Sequence, residues 1–224
     1  YPPYIVAELS ANHNGKLSNA LKIIEAAASA GVDAIKLQTY TPDTLTIDHH
    51  SSDFQLVNGP WAGKSLYELY KIAHTPWEWH DSLFRKGREL GLSVFSSPFD
   101  QSSVDFLEQF NPPAYKIASF EIVDLPLIEY VSRTGKPLII STGMASDNEI
   151  QAAVDTARTA GCKHICLLHC TSGYPTPPNE MRLREIPRIR DQFDVCPQHR
   201  SNNCANISKL KGGGARQNQF KVTM

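Results

Sequence analysis

Residues 114–122, AYKIASFEI, place a lysine inside an apolar run and a serine and a glutamate just after it. A lone buried ammonium costs far more free energy than a strand gains by burying it, so Lys116 requires a partner that compensates its charge. Ser119 can donate a hydrogen bond to the same partner. Glu121 lies two residues further on and can act as a general acid or base if burial raises its pKa. We interpret this stretch as the centre of an active site.

Polar side chains also close the other short apolar runs of the chain. These groups are Glu8, Lys36 with Gln38, Ser96 with Ser97, Ser141 with Thr142, and Thr171 with Ser172. Two lysines and several hydroxyls around one opening suit a small substrate with several negative charges, because they can neutralise and hydrogen-bond its oxygens. For Glu8 the alternative is a structural ion pair with one of the lysines, and for either lysine it is an exposed position at a strand end.

The elements that must position these groups are short β-rich runs alternating with helical segments. Predicted strands span residues 4–9, 33–38, 93–98, 114–119, 137–142 and 164–170. Predicted helices begin at residue 17 and then cover residues 66–73, 77–90, 102–110, 125–132 and 147–160. This alternation is typical of right-handed βαβ units and a parallel sheet. The polar stretch 41–64 is long enough to cover a bound substrate.

Two architectures fit this alternation, a doubly wound sheet and a (β/α)8 TIM barrel. A dinucleotide-binding doubly wound fold prefers a GxGxxG turn after its first strand, but the sequence there is SANHNG. In a barrel all strand ends converge on one mouth, whereas an open sheet uses only the strands beside its switch point. Because every predicted strand has polar residues at its carboxyl end, the sequence favours a TIM barrel, here incomplete, with about six βα units.

The composition limits the classes of partner. A net charge of −1 argues against a nucleic-acid-binding surface. No apolar run approaches the roughly 20 residues of a membrane helix, and no leader resembles a signal peptide, so we expect a cytoplasmic protein. The five cysteines are odd in number and lack CxxC spacing, which favours reduced thiols over a disulfide framework or a zinc site.

Six motifs, in order, resemble the nonulosonic (sialic) acid synthase family over roughly residues 4–190. They are IVAELSANHNG, DAIKLQTYTPDTLT, SSPFD, YKIASFEI, ISTGM and CTSGYPTP. SANH, TYTPDTLT and LYELY before TPWEWH are more similar to the pseudaminic acid synthase branch than to N-acetylneuraminate synthases, which remain the alternative. The resemblance implies that phosphoenolpyruvate condenses with an open-chain N-acetylated amino sugar, with release of phosphate, and that a divalent metal such as manganese or magnesium polarises the aldehyde oxygen.

The resemblance also implies residue roles. Phosphoenolpyruvate would be bound by Lys36, Lys116, Ser119, Ser141 and Ser172. Glu121 would handle the proton of the attacking water or of an intermediate. The sugar side would be lined by Glu8, Asn12, Gln38 and Tyr174.

The resemblance degrades after Phe193. The family continues with two metal-binding histidines and an antifreeze-like cap domain, which the partner subunit of a homodimer supplies; here only His199 lies near a matching place, and a single histidine binds a transition metal weakly. We therefore expect an incomplete barrel domain over residues 1–195 and an atypical tail over residues 196–224 without the cap domain. A truncation or a shifted reading frame near residue 195 would produce this pattern.

Several consequences and alternatives follow from that loss. Two apolar sheet edges are expected to be unpaired. The chain is expected to bind phosphoenolpyruvate but to turn it over poorly. The competing interpretations are a lysine Schiff-base aldolase that uses Lys36 or Lys116, and a non-catalytic remnant that keeps only the anion pocket.

Overall fold

Six parallel strands, each followed by at least one helix, form a curled, incomplete barrel in the computed structural model. It describes residues 4–58, 61–171 and 176–195, and the backbone of residues 206–207 and 220–223. The strands are β1 (Ile5–Glu8), β2 (Ala34–Thr39), β3 (Ser93–Pro98), β4 (Tyr115–Ile117), β5 (Leu138–Ser141) and β6 (Ile165–Leu168). Consecutive strands are neighbours throughout, in the spatial order β6-β5-β4-β3-β2-β1. The predicted alternation of strands and helices is confirmed.

The described part of the chain has eight α-helices, several of which begin at side-chain caps. They are α1 (Leu17–Ser29), α2 (Pro42–Leu45), α3 (Leu66–Ala73), α4 (His80–Glu89), α5 (Gln101–Glu108), α6 (Leu125–Ser132), α7 (Asp147–Thr159) and α8 (Glu185–Phe193). Ser65 and Ser146 open α3 and α7 with capping boxes, in which each serine is paired with a glutamate three residues later. The single helix predicted for residues 77–90 is instead a 3₁₀ turn, Trp77–Trp79, that runs into α4. No helix in the described part of the chain is long and apolar enough to cross a membrane.

Side chains alternate between the two faces of the sheet, and both faces are buried. The outer face packs against the helices through fully buried residues such as Ile35, Leu37 and Ile140. The inner face has a smaller apolar cluster of Val6, Ala34 and Phe95, against which Ile139 packs. By the same alternation, polar residues in register with this inner cluster face the interior of the incomplete barrel.

A buried polar network ties β2, β3 and α4 together on the helix side. Thr39 Oγ1 lies 2.8 Å from His80 Nε2 and 2.7 Å from Ser96 Oγ. His80 Nδ1 lies 3.3 Å from the Pro76 carbonyl oxygen, which can only accept, so Nδ1 carries the proton and Nε2 accepts from the Thr39 hydroxyl. Burial lowers the pKa of His80 to about 4. The prediction that Ser96 contributes to the mouth is therefore wrong, because its hydroxyl belongs to this network.

The edge of the sheet at β1 differs from the prediction. Strand β8 (Phe220–Thr223) pairs with β1 in the antiparallel sense, and β7 (Asn206–Ile207) pairs antiparallel with β8. The expectation of two unpaired edges is thus wrong for β1, whose free N–H and C=O groups are satisfied by the chain's own C-terminal part. A closed (β/α)8 barrel would place a parallel strand there. In the described sheet, the two outer strands are β6 and β7.

The described residues of the stretch 41–64 form several short local elements. It contains α2, a 3₁₀ turn at Ser52–Phe54 and an isolated bridge from Gln55 to Ser65. The Tyr67 hydroxyl of α3 donates to Asp43 of α2 at 3.1 Å, which holds the stretch against the next helix. Its role as a cover for substrate stays a prediction.

Candidate active site

Two buried lysines lie on the inner face of the sheet. Lys36 is 9% exposed and Lys116 is 6% exposed. Lys36 shares its face with Ala34, two residues earlier, which belongs to the inner apolar cluster. Lys116 is in register with Ile139, which packs against the same cluster. The sequence placed both lysines at strand ends, but each lies within its strand. Their ammonium groups are therefore held by neighbouring strands rather than by frayed termini.

Glu8, Lys36 and Gln38 form one hydrogen-bonded group. Lys36 Nζ lies 2.8 Å from Glu8 Oε1, and Gln38 Nε2 donates to the same oxygen at 2.8 Å. Glu8 and Lys36 are cross-strand partners in the parallel register, which brings the two charges together. The alternative that Glu8 forms an ion pair with one of the lysines is thus confirmed. The pair is nearly buried, so its charges offset one another close to the barrel interior.

The second group is built around Lys116. Its ammonium donates to Ser141 Oγ on the adjacent strand and, at 2.8 Å, to the carbonyl oxygen of Ile117. Cys170 Sγ lies 3.2 Å from Ser141 Oγ. Because both of these neighbours are donors, the Ser141 hydroxyl hydrogen is left to donate to another acceptor, such as a ligand oxygen.

Ser119 lies beside that group, just beyond β4. The place where a Cβ atom would stand on Gly143 is 2.8 Å from Ser119 Oγ and 3.4 Å from the Cβ atom of Cys170. The strand ends of β4, β5 and β6 therefore bring Ser119, Gly143 and Cys170 side by side. Lys116 thus contacts Ser141, and Ser119 lies next to Gly143, two residues after Ser141. Such a set of donors around one ammonium suits a compact anion with several oxygens.

Glu121 follows Ser119 in the 3₁₀ turn Phe120–Val123. Its Oε2 atom is buried and has no hydrogen-bond partner among the described residues. Burial raises the pKa of Glu121, while the nearby positive charge of Lys116 acts in the opposite direction. A carboxyl group in this environment can take up or release a proton closer to neutral pH than an exposed glutamate.

Ser97 lies on the inner face of β3, and its place at the carboxyl end of the strand was its only predicted feature. It is 1% exposed, and its Oγ atom has no hydrogen-bond partner in the described part of the chain. Ser97 pairs with Gln38 across the sheet and so shares the inner face, whereas Ser96 faces the helices. The signal was present in the alternation of the strand SVFSSP, which places two adjacent serines on opposite faces.

The remaining predicted residues fall into two groups. Asn12 lies in the turn Ala11–His13, where its Oδ1 accepts from the Ser10 N–H at 3.0 Å. That bond gives the Asn12 side chain a local structural role in the turn. A contact between Asn12 and a sugar stays a prediction. Ser172, Tyr174 and His199 lie outside the described residues.

The metal that the resemblance implies finds no matching ligand set in the described residues. Within residues 4–58, 61–171 and 176–195, no three histidine, cysteine, aspartate or glutamate side chains cluster so that they could hold a metal ion. The described part of the site therefore does not fit a metal by itself, and we assign no chemical step to one. Cys162, Cys166 and Cys170 are thiols and form no disulfide among the described residues.

The architecture and the sequence together identify the family of this chain. The chain belongs to the NeuB family, whose model matches residues 23–207. It is 44% identical over 192 residues to the pseudaminic acid synthase of Campylobacter jejuni subsp. jejuni serotype O:23/36, an alignment that covers 86% of this chain and 56% of that protein. It is 45% identical over 194 residues to the pseudaminic acid synthase of Helicobacter pylori, covering 87% and 57%. The chain thus spans somewhat more than half the length of these relatives.

Solved structures of similar proteins have the same architecture. The N-acetylneuraminic acid (sialic acid) synthetase of Leptospira borgpetersenii serovar Hardjo-bovis superimposes with a TM-score of 0.76 at 28% identity, covering 87% of this chain and 63% of that one. The spore coat polysaccharide biosynthesis protein spsE of Bacillus subtilis gives a TM-score of 0.71 at 36% identity, covering 86% and 51%. The predicted family and the incomplete barrel are both confirmed.

Proposed function

We propose that this chain carries the phosphoenolpyruvate-binding part of a synthase that condenses phosphoenolpyruvate with an N-acetylated amino-sugar aldehyde. The product would be a nonulosonic acid of the pseudaminic type, and phosphate would be released. One observation carries the proposal: the buried ammonium of Lys116 is joined to Ser141, with Ser119 and Glu121 beside it. The identity of 44–45% to pseudaminic acid synthases supports the choice of product.

The residues divide the work according to their charges. Lys116 supplies the positive charge for the phosphate or carboxylate of phosphoenolpyruvate, and the serine hydroxyls donate to its oxygens. Lys36 stays a second phosphoenolpyruvate ligand by resemblance, and its pairing with Glu8 and Gln38 places the polar groups proposed for the sugar next to it. Holding both substrates in one cleft lowers the barrier to their bimolecular reaction.

The proposed reaction needs one proton acceptor. The methylene carbon of phosphoenolpyruvate bonds to the aldehyde carbon of the sugar, whose oxygen takes up a proton. Water adds to C2 of the former phosphoenolpyruvate with loss of a proton, and cleavage of the C2–O bond then releases inorganic phosphate and leaves a ketone. Glu121 is suited to accept the proton of that water, because its carboxyl group is largely buried near Lys116. The divalent metal, the homodimer and the cytoplasmic location stay predictions.

A Schiff-base aldolase is the competing reaction. It needs a lysine that acts as a free amine, but Lys36 is paired with Glu8, and Lys116 is bonded to Ser141 and a backbone carbonyl. These contacts favour ammonium groups that recognise anions. Borohydride reduction in the presence of an amino-sugar aldehyde and pyruvate is expected to leave both lysines unmodified, and an adduct on either would support the aldolase instead.

Calorimetric titration of the 224-residue chain with phosphoenolpyruvate tests the proposal. We expect saturable binding that weakens with added salt, since the contacts are charged. Phosphate release is then measured with manganese, comparing 6-deoxy-altrose-type and mannosamine-type amino sugars. Preference for the first would support the pseudaminic type, and preference for the second the N-acetylneuraminate type. Binding without turnover would support the non-catalytic remnant, whereas absence of binding would refute the anion site.

Replacement of Ser97 by alanine is expected to separate binding from stability. Its buried hydroxyl has no partner among the described residues, so S97A should leave the free energy of unfolding unchanged or raise it by up to about 1 kcal/mol. The same change should weaken phosphoenolpyruvate binding by about 5-fold through the loss of one hydrogen bond. Denaturant unfolding and calorimetry measure the two effects. S96A is the matched control, and it should lower stability because the Thr39–His80 network loses a member.

A further inference from the structure

We propose that Gly143 is a positioning residue of the anion site, because only a residue without a side chain lets Ser119 stand beside the group of Lys116 and Ser141. The inference rests on the proposed function for its ligand. It assigns Gly143 a role that acts through the position of Ser119.

The positions of three strand ends carry the argument. Ser119, Gly143 and Cys170 are each the second residue after their strand, on β4, β5 and β6 respectively. Because these strands are adjacent, the three residues form one row across the mouth. Gly143 stands in the middle of that row, between two side chains.

The space at Gly143 is already filled from both sides. A Cβ atom there would lie 2.8 Å from Ser119 Oγ, 3.3 Å from Ser119 Cβ and 3.4 Å from Cys170 Cβ. A carbon–oxygen approach of 2.8 Å is well inside the optimal separation of about 3.5 Å for such atoms. The Ser119 side chain would have to move away, since Gly143 is itself buried.

Backbone conformation does not explain the glycine. The glycines that adopt positive φ angles are Gly15, Gly31, Gly63, Gly91, Gly135 and Gly161 among the described residues, and Gly143 does not belong to this set. An alanine would therefore suit the backbone of Gly143, and the requirement is steric. Movement toward the other neighbour is also unfavourable, because Cys170 contacts Ser141 at 3.2 Å and would transmit the displacement to it.

A double-mutant cycle with Gly143→Ala and Ser119→Ala tests the inference in the full 224-residue chain. Calorimetric titration with phosphoenolpyruvate is expected to show about 10-fold weaker binding for either single variant. The double variant should bind about as weakly as Ser119→Ala alone, because the clash acts through the Ser119 side chain. Equal affinity of Gly143→Ala and the wild type, or full additivity in the double variant, would overturn the inference.

Gly87→Ala is the matched control. Its Cβ atom would overlap Val94 Cγ2 in the core between α4 and β3, away from the mouth. This variant should lower the unfolding temperature by several degrees, through about 1–3 kcal/mol of overpacking. Its affinity for phosphoenolpyruvate should stay within about 2-fold of the wild type, since no site residue moves.

Thermal unfolding of the same variants tests the role of Gly143 independently of the proposed function, because it requires no phosphoenolpyruvate. If the wild type does not bind phosphoenolpyruvate, the proposed function fails, and the unfolding temperatures decide the role of Gly143. Gly143→Ala should lower the unfolding temperature more when Ser119 is intact than when Ser119→Ala is also present; equal losses would refute the steric coupling. If Gly143→Ala alone does not fold, a cooperative transition in the double variant supports the inference, and its absence contradicts it.

Discussion

Replacing Lys116 with methionine is expected to weaken phosphoenolpyruvate binding by at least about 100-fold, which corresponds to the loss of a charge-assisted contact of about 3 kcal/mol. Lys116 is 6% exposed and its ammonium donates to Ser141, so no water can readily take its place against the anion. Methionine keeps most of the volume of the side chain and removes its charge. Calorimetric titration at constant salt measures the loss, because salt alone changes the affinity of such a site.

The fold itself should tolerate this substitution. A buried charge destabilises unless it is compensated, and its replacement by an apolar side chain of similar size is often neutral or stabilising. Lys136→Met is the matched control, because the Lys136 ammonium also donates a hydrogen bond, here to Glu108 at 2.6 Å on the opposite side of the sheet. The control should bind phosphoenolpyruvate as the wild type does. Unchanged binding by the Lys116 variant would show that the anion site has been assigned to the wrong lysine.

Acidification is expected to destabilise the protein through His80. The pKa of this buried imidazole is about 4 in the folded chain, compared with 6.5 for an unperturbed histidine. The unfolded chain therefore binds the proton first, so the contribution to stability is fully present above about pH 6.5 and is lost as the pH falls toward 4. The gap between the two values corresponds to a loss of about 3 kcal/mol. Urea unfolding at several pH values measures this loss.

Other groups titrate in the same pH range. The prediction therefore concerns the difference between the wild type and a His80 variant in how the free energy of unfolding depends on pH. His80→Gln keeps a side chain that can accept from Thr39 but does not titrate, and its free energy of unfolding should fall less steeply between pH 6.5 and 4.5. His50→Gln, at an exposed position in the stretch 41–64, should follow the wild-type curve. If the wild type and His80→Gln have parallel curves, the imidazole is not held neutral by burial.

The elements of the fold were largely predictable from local patterns. The helical patterns over residues 66–73 and 125–132 predicted α3 and α6 at the bounds that the structure has. The predicted strand 114–119 shortens to β4 because the chain turns into a 3₁₀ helix from Phe120. Local sequence did not reveal this turn, since the run ASFEI is also compatible with a strand.

The contacts within the site were less predictable than its location. The strand ends indicated that Lys116, Ser119 and Ser141 converge, but only the register of β1 and β2 decides that Glu8 pairs with Lys36 rather than with Lys116. The Thr39–His80–Ser96 network joins residues 41 and 57 positions apart, so no local pattern contains it. Gly143 gave no signal, because a glycine after a strand is ordinary in a turn and its neighbours come from two other strands.

The sequential order of the strands has a consequence for folding. From β1 to β6, strands that are consecutive in the chain are neighbours in the sheet. The pairs that build the site are correspondingly close in sequence, 28 residues from Glu8 to Lys36 and 25 residues from Lys116 to Ser141. Contacts over such short separations close small loops and favour fast formation. A chain emerging from the ribosome can therefore add one strand at a time, and the pairing of Lys116 with Ser141 requires no residue beyond β5.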